Sequence, residues 1–151
     1  MTEAEGTQLS SHIDDRSLTL EMSARLDNLA MLRTVVAAAA FDDLNMDAVA
    51  DLKLATDEAC TRLVRSSVPG ATLTIRLEFH PDKTVLSAHT HCQSAEVVFP
   101  SDSFSWHVLS TLADAAETFE RDDPDDPLGR VVGITMTTRR DAAATVRVAH
   151  G

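Results

Sequence analysis

The sequence predicts an α+β domain, a two-layer sandwich in which a mixed β-sheet carries its helices on one face and each element buries one side. Three observations predict it. Apolar residues alternate at period two in several segments, they recur at spacings of three and four in others, and the segments follow in the order β, α, α, β, β, α, β, β. With 151 residues and 16.3 kDa, the chain is long enough to bury a core without disulfides or structural metal. Its 44% hydrophobic and 25% charged residues exclude a wholly disordered or fibrous chain.

Residues 1–17 carry no periodic pattern and are read as a disordered tail, residues 18–140 as the domain, and residues 141–151 as a frayed end. Leu18, Leu20 and Met22 alternate with Thr19, Glu21 and Ser23, which predicts a half-buried first strand. From Arg25 onward, Leu26, Leu29, Leu32, Val36 and Ala40 form one buried stripe on a helix that ends at Asp42-Asp43-Leu44-Asn45. Asn45 is placed to cap a second, longer helix, in which Val49, Leu52, Thr56, Ala59 and Leu63 repeat the spacing until Pro69-Gly70 stops it.

Leu73, Ile75, Leu77 and Phe79 alternate with Thr74, Arg76 and Glu78, and Pro81-Asp82 turns the chain into Thr84 to Ala88, which predicts a hairpin. A short strand at Val97 to Phe99 is expected next. Ser101 or Ser103 then caps a third helix carrying Phe104, Val108 and Leu112, with Trp106 and Leu109 beside them, ending near Ala116. Glu117 to Arg121 reads as a strand, Asp122 to Pro127 as an acidic turn, and Arg130 to Arg140, rich in Val, Ile and Thr, as the last strand.

Subtracting 24 acidic from 13 basic residues leaves a formal charge of -11. That charge repels phosphate backbones and anionic lipid and favours basic partners, so direct nucleic-acid and membrane binding are not expected. The longest nearly apolar run, Leu29 to Phe41, is interrupted by Arg33 and falls short of the roughly 20 residues needed to cross a bilayer. The polar, acidic stretch Met1 to Asp15 lacks the pattern of a secretory signal, which points to the cytoplasm. Cys60 and Cys92 are too few for a disulfide framework and match no zinc spacing. His89 and His91 flank Cys92, but neighbouring strand residues point to opposite faces, so no metal site is expected there. Asp114 to Asp126 holds seven carboxylates against one Arg without the spacing of a calcium loop.

The run Leu20-Glu21-Met22-Ser23-Ala24-Arg25, its helix, and the later Asp57-Glu58-Ala59-Cys60-Thr61-Arg62 resemble the anti-sigma factors of the stress and sporulation switches. Those are small serine kinases on the histidine-kinase-like (GHKL) ATPase fold. The resemblance spans residues 18–140 and is closest to the actinobacterial anti-sigma-F factors. In the active family the long helix carries Glu-Ala-x-Thr-Asn, the Glu a general base and the Asn a magnesium ligand. The resemblance puts Glu58 at the base position and Arg62 where the Asn belongs, and a guanidinium offers only donors. Two other readings of this pair stand beside that one. Glu58 and Arg62 are an i,i+4 surface pair, or Arg62 fills the vacated metal position with its own charge.

The glycines give a second test. They are Gly6, Gly70, Gly129, Gly133 and Gly151, so none lies between Ala71 and Leu128, where the resemblance places both phosphate-binding boxes. The adenine-reading Asp of the first box falls near His89 or Thr90, and Ser87 to Ser94 holds no Asp. Gly133 and Thr135 alone resemble the glycine-threonine pair that closes the family's site. The expectation is a degenerate nucleotide site, no kinase activity, no metal and no cofactor, with ATP and magnesium bound only if the chain is instead an active kinase.

What the resemblance leaves is a binding protein. It implies an alternative sigma factor as partner, a STAS-type anti-anti-sigma protein as competitor, and a homodimer. Arg25 and Arg33 match the family's gripping surface, and Arg33 is the only charged residue between Asn28 and Asp42. It is read as an anchor for a partner carboxylate, or as an exposed edge whose stem covers apolar surface. A further alternative is a redox-gated binding module, with a reversible Cys60–Cys92 disulfide and Cys92 in an exposed loop.

Overall fold

The structure is a computed structural model that describes residues 16–125 and 130–140. The tail segments 1–15 and 141–151 and part of the acidic turn lie outside the described residues. Strand β1 spans Arg16–Ser23, two residues earlier than the alternation suggested. A single 3-10 turn, Leu26–Asn28, leads into α1, Leu29–Ala40, and then α2, Met46–Ser66. Strands β2, Thr72–Phe79, and β3, Lys83–Cys92, form the expected hairpin. Two short helices follow, α3 at Ala95–Val98 and α4 at Phe104–Leu112, before β4, Ala115–Asp122, and β5, Arg130–Arg139.

The five strands lie in the order β1-β2-β3-β5-β4, and each neighbouring pair is antiparallel. The sheet is therefore antiparallel, not mixed as expected. The helical connections explain why. Helices α1 and α2 go out and come back, so Thr72 of β2 starts beside Ser23, where β1 ended. The α3–α4 crossover carries the chain to the opposite end, which does make β4 run parallel to β3. But β5 inserts between them and pairs antiparallel with both.

The strand alternation builds the core. Leu73, Ile75 and Leu77 of β2, Leu86 and Ala88 of β3, and Val132, Ile134 and Met136 of β5 face the helices and are buried. From the helices come Leu29, Leu32, Val36 and Ala40 of α1 and Leu52, Ala55, Ala59, Cys60 and Leu63 of α2. Thr56, fully buried, donates its hydroxyl to Leu52 O at 2.7 Å and so carries no unpaired polar group inward. Both expected caps form: Asn45 Oδ1 accepts from Ala48 N at 2.8 Å and Ser103 Oγ from Trp106 N at 3.1 Å. Gly70, at φ +80, supplies the left-handed turn that stops the chain after α2.

Three expectations fail locally. Leu26 is exposed, because the chain there forms the 3-10 turn before the helix proper begins. Val97–Phe99 is not a strand: Ser94 Oγ accepts from Val97 N at 3.3 Å and Glu120 accepts from Ala95 N at 2.8 Å, capping a helical turn instead. In α4 the buried residues are Ser105 and Leu109, while Phe104 is 82% exposed. The stripe is rotated by one residue relative to the expected Phe104, Val108, Leu112.

One polar cluster ties the ends of the domain together. Asp43, in the turn after α1, accepts a hydrogen bond from Arg16 at the start of β1. Arg140, just after β5, places Nη2 3.9 Å from Asp43 Oδ1 and donates Nε to Asp43 O and Nη1 to Pro81 O, each at 3.2 Å. Arg16 also lies over the Phe79 ring, 4.7 Å from its centroid. Because the Asp43 side chain is only 12% exposed, Asp43→Ala is expected to lower stability by about 1–3 kcal/mol in urea unfolding, more than an ordinary surface substitution. An unchanged midpoint would show that the cluster is energetically idle.

Candidate functional site

The rotation of α2 is fixed by its buried stripe, and this directs three charged side chains to three different elements. Asp57 Oδ1 accepts from Arg33 Nη1 of α1 at 2.5 Å. Glu58 Oε2 accepts from Ser105 Oγ of α4 at 2.6 Å. Arg62 donates Nε to Val98 O, the last residue of α3, at 3.2 Å. Glu58 and Arg62 thus do not pair with each other at i,i+4; each holds the α3–α4 segment against α2. Phe99 and Trp106 brace that segment edge to face, their centroids 6.4 Å apart.

The structure does not bring the four candidate nucleotide residues to one place. Ile134 and Met136 point toward the helices, so Gly133 and Thr135 face the other side of the sheet, away from Glu58 and Arg62. A side chain at Gly133 has no room: a Cβ there would sit 2.3 Å from Phe119 Cζ, 2.6 Å from Ala88 O and 2.8 Å from His89 Cβ. Phe119 of β4 lies across this glycine. Thr135 Oγ1 is 3.3 Å from Ser87 Oγ on β3. Thr90, near which the adenine-reading Asp would fall, is fully buried and donates to Thr72 O at 2.8 Å.

Cys92 is the last residue of β3 and fully buried, not in an exposed loop, and its Sγ donates to Leu63 O at 3.6 Å. Burial pushes its thiol up to about 11. Burial, with Asp57 adding to it, pushes Cys60 up to about 12. Both sulfurs are free and stay protonated at neutral pH, which removes the thiolate on which exchange chemistry depends. Among the described residues, no three His, Cys, Asp or Glu side chains are placed to hold a metal ion. His91, on the sheet face opposite Cys92, bonds Asp123 at 2.7 Å, and that hydrogen bond holds the Asp123 carboxyl below its usual range.

The partner-facing candidates lie on α1 and its approach. Arg25 is exposed and donates to Asp27 at 2.9 Å, which lowers the Asp27 pKa. Arg33 stands on α1 with its side chain 36% exposed. The outer face of that helix carries Ala30, Met31, Thr34 and Ala38, all exposed, and continues into exposed Phe41, with no charge among them. Asp57, Ser105 and Asp43 did not emerge from the sequence as functional or structural partners. Their contacts span 24 to 97 positions and carry no local signal.

No helix among the described residues is long and apolar enough to cross a membrane. No family model matches the chain. Two curated relatives do. The anti-sigma-F factor RsbW of Mycobacterium tuberculosis, from strain CDC 1551 / Oshkosh and from strain H37Rv, is 50% identical to this chain over 130 residues, covering 85% of the chain and 77% of the relative in both cases.

Two measurements probe this geometry. Gly133→Ala is expected to cost about 1–3 kcal/mol by overpacking against Phe119, read by urea unfolding; a cost near zero would mean that the sheet relaxes freely there. His89 packs against Phe119, and burial first, then Arg121 and His91, lowers its pKa below the ordinary 6.5, opposed only by Glu21. The unfolded chain therefore takes up this proton at a higher pH than the folded one. Stability held above the unfolded value is lost as pH falls through the folded one, so unfolding at about pH 5 should occur at lower urea than at about pH 7. His89→Gln should remove part of that difference.

Proposed function

This chain belongs to the anti-sigma-F factor family, and from that premise we propose that it binds and sequesters an alternative sigma factor of the stress-response type in the cytoplasm. A STAS-type anti-anti-sigma protein releases the sigma factor by competing for the same surface, and the chain works as a homodimer. The observation that carries the proposal is the outer face of α1, largely apolar and free of charge apart from one cation beside it, Arg33. Arg33 anchors a partner carboxylate while Met31 and Phe41 supply apolar contact, and Arg25 extends the surface on the approach. The charge of -11 supports the same reading, because a sigma factor presents basic surfaces and an acidic partner covers them with favourable steering.

The fold is read as the histidine-kinase-like ATPase type with a degenerate nucleotide site. Three features support the degeneracy of the site. Glu58, in the base position, is engaged by the Ser105 hydroxyl, and Arg62, in place of a metal-binding Asn, is spent on a backbone carbonyl. No glycine lies between Ala71 and Leu128 to let backbone approach a triphosphate. Gly133 serves packing against Phe119. Release therefore depends on competition between partners and not on phosphorylation by this chain. The rival is an active serine kinase whose binding boxes have diverged.

Affinity purification of the tagged chain from its native cell is expected to recover a sigma factor; a sigma-free eluate rejects the proposal. Incubation of the purified chain with radiolabelled ATP, magnesium and a STAS-type antagonist is expected to leave the antagonist unlabelled. Label on the antagonist would establish the kinase instead.

A further inference from the structure

Arg33 is already occupied. The structure gives its guanidinium one hydrogen bond among the described residues, from Nη1 to Asp57 Oδ1 at 2.5 Å. The two side chains are similarly accessible, 36% for Arg33 and 39% for Asp57. Of the three charged contacts made by α2, this one links two partly open side chains on the outer surface; Glu58 instead bonds a buried serine, and Arg62 a buried helix end. Leu54, one turn before Asp57, and Ala30, one turn before Arg33, are both exposed, so apolar surface flanks the ion pair on each helix.

Resting on the reading of Arg33 as the partner anchor, we propose that Asp57 is a built-in stand-in for the partner's carboxylate, occupying Arg33 in the free chain and surrendering it on binding. The partner segment this selects carries an Asp or Glu beside an apolar side chain, the first to take Arg33 and the second to lie on Leu54 and Ala30. Asp57 grips the guanidinium by one nitrogen only. An incoming carboxylate has the rest of the fork available and can bind it bidentately, the stronger geometry. An ion pair this accessible to water is held weakly and exchanges readily. The pair therefore keeps the cation from being an unspecific anion site, while charging each true partner a modest toll in affinity. It also sets a threshold: a segment with apolar groups but no carboxylate cannot dislodge Asp57.

The test is a calorimetric titration of purified sigma-F factor into the full-length chain and into Asp57→Asn, Arg33→Ala and the double variant, with thermal melts of each; Asp57→Ser serves as a second neutral replacement. The expected pattern is binding about two- to fivefold tighter for Asp57→Asn and Asp57→Ser, since removal of a weak competing pair is worth about that much. Arg33→Ala should bind at least about tenfold more weakly, and the double variant should match Arg33→Ala, because no guanidinium remains for Asp57 to withhold. If Asp57→Asn and Asp57→Ser bind no better than wild type while Arg33→Ala weakens, Asp57 positions the arginine and the proposal is wrong. If Asp57→Asn tightens binding equally without Arg33, Asp57 acts by repulsion alone, which also overturns it. If Arg33→Ala binds like wild type, or the wild-type chain does not bind, the anchor reading itself fails.

Discussion

The long helix α2 can lie on the sheet in only one rotation, because Leu52, Ala55, Ala59, Cys60 and Leu63 must all be buried at once. Everything polar about the site follows from that constraint. With Ala59 and Cys60 turned inward, Asp57 is left to meet α1, Glu58 to meet α4, and Arg62 to meet the end of α3. One apolar stripe thus sets the direction of three ionic or polar contacts, each of which ties a separate element to the same rod. A substitution that rotated α2 by even part of a turn would disturb all three together.

Most of the architecture was legible because period two and period 3.6 are strong signals wherever one face is buried. The alternation in β2 and β3 marked their core residues, and Asn45 and Ser103 announced the helices they cap. What stayed hidden was non-local. Nothing near Phe104 says that Ser105 will turn inward, because the reason is Glu58, which lies 47 positions earlier. Nothing near Cys92 says that it ends a strand under α2. The sheet's antiparallel character depends on where β5 inserts, which period and propensity do not record. The clasp of Arg16 and Arg140 on Asp43 joins opposite ends of the domain and has no sequence signature.

The candidate site shows the same division between kinds of information. Motif matching placed Glu58, Arg62, Gly133 and Thr135 in one functional group, yet the strand register puts Gly133 and Thr135 on the face of the sheet remote from the other two. The sequence places Arg33 on its helix; the fold adds its neighbour, Asp57. An arginine on an apolar helix face is an ambiguous sign in a sequence. Beside an equally accessible aspartate it becomes a position with two competing occupants, and its chemistry is about exchange as much as attachment.

The insertion of β5 between β3 and β4 has a consequence for how the chain is made. Strand β3 needs β5 along its entire length, from Lys83 opposite Arg139 to Cys92 opposite Arg130, yet β5 is synthesised after every other strand among the described residues. On the ribosome, β1, β2 and β3 emerge with an unpaired edge, and β4 has no strand to pair with until β5 leaves the exit tunnel. The central seam of the sheet therefore closes last. A nascent chain stalled before that moment presents an open β edge, the state in which β-rich polypeptides stick to one another and call on chaperones.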